Sequence, residues 1–88
     1  MLDPAKLVGM GPSAIGGILG KPTETQEYAM STEWTYATKV CSLKIFFYPD
    51  IATGVLRVLK YIVRNAKGEP GDGPGCVHHL LLARGEEQ

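Results

Sequence analysis

Residues 41–48 alternate in a way that only a sheet can use, and they carry large apolar groups on both sides. On a strand Cys41, Leu43, Ile45 and Phe47 point one way, and Ser42, Lys44, Phe46 and Tyr48 the other. The first set reads as the core face. One strand is not stable alone, so partners are needed. Residues 32–38 alternate too, with Trp34 and Tyr36 on one face and Glu33, Thr35 and Ala37 on the other. Residues 55–63 form a third, longer apolar run behind a loop that Pro49-Asp50 begins and Gly54 ends. Three consecutive strands on short connections favour an antiparallel meander. Residues 23–28 are polar and rich in β-formers, which suits an edge strand or an extended connection.

The segment ahead of the sheet is punctuated for helices. Asp3 is placed as an N-cap before Pro4, whose missing N–H costs nothing in a first turn. Leu2 and Leu7 stand at the positions of a hydrophobic staple, and Gly9 ends a helix expected over 4–9. Pro12 opens a second helix over 12–19, with Ile15, Ile18 and Leu19 on one face. Gly20 is placed to end it in the left-handed region, and Pro22 blocks continuation.

After the third strand the composition changes. Residues 65–75 hold Gly68, Gly71, Gly73, Gly75, Pro70 and Pro74, and read as a flexible loop. Residues 76–83 are apolar, and their periodicity leaves strand and helix open. Residues 85–88 read as a frayed tail. The whole, residues 1–88, is expected to be a single domain with its core in 4–63. A chain this short buries roughly 60% of its unfolded surface, enough for one core with little margin. The expected core is Leu7, Ile15, Ile18, Leu19, Trp34, Leu43, Ile45, Phe47 and Val58.

Charge excludes one class of function. Nine basic residues stand against nine acidic ones, so the net charge is zero. General nucleic-acid affinity needs clustered positive charge, and no nucleic-acid partner is expected. No run approaches 18 apolar residues, so no membrane-spanning helix is expected. The opening Met1-Leu2-Asp3-Pro4 has neither the basic start nor the apolar run of a signal peptide.

Chemical motifs are few. Gly9-Met10-Gly11 with Ala14 mimics part of a dinucleotide signature, but that signature needs a preceding strand and a βαβ unit. Gly20-Lys21 lacks the glycine and the hydroxyl that a phosphate loop requires. Cys76, His78 and His79 are zinc-ligand types, and Cys41 would complete a set of four. Their spacing matches no finger or ribbon, and the plainer reading is a surface histidine beside a partly buried one. Cys76 beside a histidine lacks an orienting group and an oxyanion hole for catalysis. Glu24, Glu27 and Glu33 read as solvated faces. No catalytic residue, metal or cofactor is assigned. Cys41 and Cys76 either form one disulfide or remain two buried thiols, and spacing does not decide between them.

The aromatics all fall in the sheet region. Phe46, Tyr48 and Tyr61 are the partner-binding residues expected if they are exposed. Otherwise the C-terminal segment, residues 77–82, folds over Phe46 and Tyr48.

The order of the pieces resembles a known family. Leu7-Val8-Gly9-Met10-Gly11-Pro12-Ser13, then Ile18-Leu19-Gly20-Lys21-Pro22, Glu33-Trp34-Thr35-Tyr36 and Leu43-Lys44-Ile45-Phe46-Phe47 are similar to the SmpA/OmlA domain. That family implies two helices on a three-stranded antiparallel sheet, as in β-lactamase-inhibitor-like domains. It also implies a lipoprotein at the inner face of the outer membrane, often an accessory to β-barrel assembly. The chain also resembles small bacterial envelope proteins with one cysteine opening the strand after "W-x-Y" and a second near the C-terminus. Cys41 and Cys76 match those positions, which implies a disulfide between them. The family's lipobox cysteine is not in the chain, so any membrane attachment is expected through an anchor outside it.

The reading is therefore an α+β domain: two short N-terminal helices on a three-stranded antiparallel meander, with a C-terminal apolar segment tied back to the sheet. Its expected function is non-catalytic protein binding in the periplasm or at the inner face of the outer membrane. The expected partner is another protein, such as an envelope assembly component. Two alternatives stand beside it, an inhibitory module like the β-lactamase inhibitors and a small zinc or thiol protein.

Overall fold

The alternating segment becomes an inner strand of a four-stranded antiparallel sheet. The structure, a computed structural model, describes the backbone of residues 2–86 and the side chains of residues 2–84. Strands β1 (Glu24–Glu27), β2 (Thr32–Ala37), β3 (Cys41–Pro49) and β4 (Leu56–Asn65) lie in the order β1-β2-β3-β4. A 3₁₀ turn, Pro4–Leu7, and helix α1, Pro12–Leu19, precede the sheet, and helix α2, Gly73–Glu86, follows it.

Directly opposed residues share a face, so the register sorts the sheet. Leu43 lies between Tyr36 and Val63, Ile45 between Trp34 and Tyr61, and Phe47 between Thr32 and Val58. These residues meet Leu7, Ile15, Leu19, Val77 and Leu80 from the helical segments. Leu7, Ile15, Leu43, Ile45, Phe47 and Val77 are completely buried. Each such side chain contributes about 1.5–3 kcal/mol relative to an exposed one. Trp34 stands edge-on to Phe47, with ring centroids 4.9 Å apart. Of the expected core, Trp34 and Ile18 pack against this cluster while keeping part of their surface exposed.

Four expectations are corrected. The meander has four strands, because Glu24–Glu27 pairs with β2 from Glu24 opposite Thr35 to Glu27 opposite Thr32. It is short, polar and wholly exposed, as a protected edge strand should be. The first helix is only a 3₁₀ turn. Gly9, at φ +92°, turns the chain so that its N–H donates to the Val58 carbonyl while Met10 accepts from the Val58 N–H. Residues 9–10 thus serve the edge of β4 and cannot continue a helix.

The stretch 65–75 is held in place by hydrogen bonds. The Asn65 side chain accepts from the N–H groups of Lys67 and Glu69, and the Gly71 N–H donates to the Val63 carbonyl. Helix α2 takes in Gly73, Pro74 and Gly75 from that stretch, which settles the C-terminal segment as helix. A Cβ on Gly73 would meet the Pro4 ring at 2.9 Å, so glycine permits the close approach of α2 to the N-terminal turn. Of the expected tail, residues 85–86 end α2, and residues 87–88 lie outside the described residues.

Phe47→Ala is expected to cost about 3–5 kcal/mol, because it opens a cavity where the helices meet β3. Leu59→Ala, on the other face, is expected to stay within about 0.5 kcal/mol. Urea denaturation checks both, and similar midpoints for the two variants would contradict the one-sided core.

Candidate functional site

Among the described residues, one face of the sheet carries no helix. The residues opposed outside the core register lie on it: Glu24 and Gln26 of β1, Glu33, Thr35 and Ala37 of β2, Ser42, Lys44, Phe46 and Tyr48 of β3, and Arg57, Lys60, Ile62 and Arg64 of β4. Phe46 sits at its centre, opposite both Glu33 and Lys60, and is only 9% exposed. The Lys60 ammonium lies 4.7 Å from the Phe46 ring centroid and shields it from water. Lys44 reaches Glu33 at 3.6 Å, and Arg57 reaches Asp50 at 3.7 Å.

A β-bulge shapes this face. Phe46 opposes Lys60 but Phe47 opposes Val58, which leaves Leu59 as an additional residue on β4. The bulge resets the alternation. Leu56, Val58, Tyr61 and Val63 pack with the core, whereas Lys60 opposes Phe46 and Leu59, the bulged residue beside it, is left out of the core. Leu59 is 62% exposed and Ile62 36%.

The three expected partner-binding aromatics therefore do not form one surface. Phe46 and Tyr48 lie on the open face, the first buried under Lys60 and the second half-buried. Tyr61 opposes Ile45 and packs on the core from the helix side. The C-terminal segment does not cover Phe46, because Val77 and Leu80 belong to the core on the opposite face. Sequence reasoning missed Leu59 and Ile62. Their signal was the broken alternation of residues 56–64, where two successive positions, 59 and 60, leave the core.

The helical layer has its own polar junction. Arg84 of α2 donates to the carbonyls of Gly17 and Ile18 at 2.8 and 2.6 Å, satisfying the free end of α1. The Tyr36 hydroxyl donates to the Gly20 carbonyl at 2.8 Å. Burial pushes the Tyr36 phenol up to about 12, against a smaller lowering by the Arg84 charge. A groove of about 360 Å³ opens here beside Lys21, Thr38 and Arg84. Its arginine is committed to capping.

Cys41 and Cys76 form a disulfide that joins the start of β3 to the first turns of α2, with Cα atoms 5.8 Å apart. Both sulfurs are thereby withdrawn from metal binding and nucleophilic chemistry in this state. His78 and His79 are both exposed, with ring centroids 6.1 Å apart, so neither is the partly buried histidine expected. Among the described residues no three His, Cys, Asp or Glu side chains converge as a metal set, and no helix is long and apolar enough to cross a membrane.

These features define a two-layer α+β domain with one sheet face free. No family model, curated protein or solved structure matches the chain.

Protein taken from its own compartment and alkylated without reductant is expected to gain no alkyl mass at Cys41 or Cys76. Addition at both would contradict the bridge. Replacing both with alanine is expected to cost about 4 kcal/mol in the chain-entropy account, read from denaturation midpoints.

A second expectation follows from Tyr36. Its folded pKa stands above the unfolded value of 10.0, so its contribution to stability is complete below that pH and is lost as pH rises toward about 12. Tyr36→Phe is expected to remove that part of the alkaline loss. An unchanged alkaline profile in Tyr36→Phe would refute it.

Proposed function

We propose that this chain is a non-catalytic protein-binding domain of the bacterial cell envelope, SmpA/OmlA-like, acting as an accessory in outer-membrane assembly. The observation that carries the binding reading is the helix-free sheet face, where Tyr48, Leu59 and Ile62 present apolar surface around a shielded Phe46. A two-layer domain buries one face of its sheet and leaves the other for a neighbour. Apolar groups gathered on such a face and ringed by charge fit a partner surface. The disulfide supports an oxidising compartment, which favours the periplasm or the inner face of the outer membrane. The order of motifs around Gly9-Met10-Gly11 and Trp34-Thr35-Tyr36 supports the SmpA/OmlA likeness. The fold adds a fourth strand and a C-terminal helix to the architecture which that likeness implies.

Tyr48→Ala, Leu59→Ala and Ile62→Ala are each expected to weaken partner capture by about 1–2 kcal/mol while leaving the melting temperature nearly unchanged. Capture that survives all three intact would move the interface elsewhere. Substrate turnover by the purified protein, lost on changing His78, would overturn the non-catalytic reading.

A further inference from the structure

We infer that the β3–β4 half of the open face receives an acidic amphipathic helix from the partner protein. The inference rests on the binding reading above and adds the chemistry of what is bound.

The charges on this half are not balanced. Lys44, Arg57, Lys60 and Arg64 all lie on it, in a chain whose net charge is zero. Glu33 answers Lys44 and Asp50 answers Arg57. Among the described residues Lys60 and Arg64 have no carboxylate within 4.0 Å. The Lys60 ammonium rests instead on Phe46, and Arg64 donates to the Gly68 carbonyl. Leu59 and Ile62 stand beside and between these two cations along β4, the first 62% and the second 36% exposed. An occupant must therefore supply apolar groups for Leu59, Ile62 and Tyr48, and carboxylates alongside for Lys60 and Arg64.

On this half of the sheet, backbone geometry selects a helix over an added strand. A strand would need the free edge of β4, but Val58 is already paired there with Gly9 and Met10. Gly71 takes the Val63 carbonyl farther along the same edge. The occupant must lie across the face. A helix about 10 Å wide covers two strands spaced about 4.8 Å apart with their side chains. The ten residues of β4 span about 33 Å, the length of a helix of roughly 20 residues. A second copy of this chain fits less well. Its helix α2 does expose Leu81 and Leu82, but its described ionisable side chains are His78, His79 and Arg84, which offer no carboxylate to Lys60 or Arg64, and its acidic strand β1 has no apolar stripe for Leu59 and Ile62.

The test uses the full oxidised chain and two synthetic helical peptides of about 18 residues with the same leucine stripe, one flanked by glutamate and the other by lysine. The glutamate peptide is expected to bind at least roughly tenfold more tightly, with an advantage that shrinks as salt rises. Lys60→Glu is expected to erase that preference. Adding Arg64→Glu is expected to reverse it, with the melting temperature held. Amide shifts in NMR spectra are expected on β3 and β4, not on α1 or α2.

Equal binding of the two peptides, binding of neither, or shifts on the helical layer would overturn the inference. So would sedimentation showing a dimer that Lys60→Glu dissolves, because the occupant would then be a second copy. If a partner is captured through Tyr48 and Leu59 but ignores Lys60→Glu, the acidic helix is wrong and the binding face stands. If the Tyr48, Leu59 and Ile62 variants also capture normally, both fall.

Discussion

The burial of one row of β3 is the interaction on which the rest of the structure depends. Leu43, Ile45 and Phe47 are completely buried and sit between β2 and β4, so each touches both neighbouring strands and the helical layer. A small domain has few such residues, and losing their burial would remove much of its stability. The row also sets the direction of everything else. Helices with apolar stripes must come to this face, and the opposite face is left to water or to a partner.

Two devices hold the helical layer against that row. The disulfide anchors the start of α2 to the start of β3, and Arg84 near its other end caps α1. Helix α2 is thereby tied at both ends, to the sheet and to its neighbouring helix. Tyr36 joins the same junction from β2 by donating to Gly20, so strand, α1 and α2 meet around one set of carbonyls. Gly73 lets the other end of α2 approach Pro4 closely. These contacts explain how a segment rich in glycine and proline can still lead into an ordered helix.

The free face is organised differently. Its central aromatic, Phe46, is covered by a lysine from the next strand, and its exposed apolar groups come from a bulge on β4. A bulge turns two successive side chains to one side and so can concentrate a leucine and a lysine at one place. The combination covers the central aromatic while leaving apolar surface and positive charge together. That pairing of properties gives the proposed binding role its physical basis.

Local physics made much of this legible before any coordinates. The alternation of residues 41–48 determined strand β3 and its core face, because side chains on a strand change sides at every residue. Pro12 and Gly20 bounded α1, because each favours one end of a helix. The pairing of Cys41 with Cys76 was implied only by a family resemblance. Tertiary structure decided the rest. The polar segment 24–27 is a strand only because β2 offers it hydrogen bonds, and residues 9–10 leave helical geometry because Val58 bonds to them. Residues 76–83 are compatible with strand or helix, and packing of Val77 and Leu80 on β3 chose the helix. The bulge at Leu59 moved Tyr61 to the core and brought Leu59 and Ile62 outward. Register depends on hydrogen bonds between strands distant in sequence, so the composition of the open face was decided by the fold.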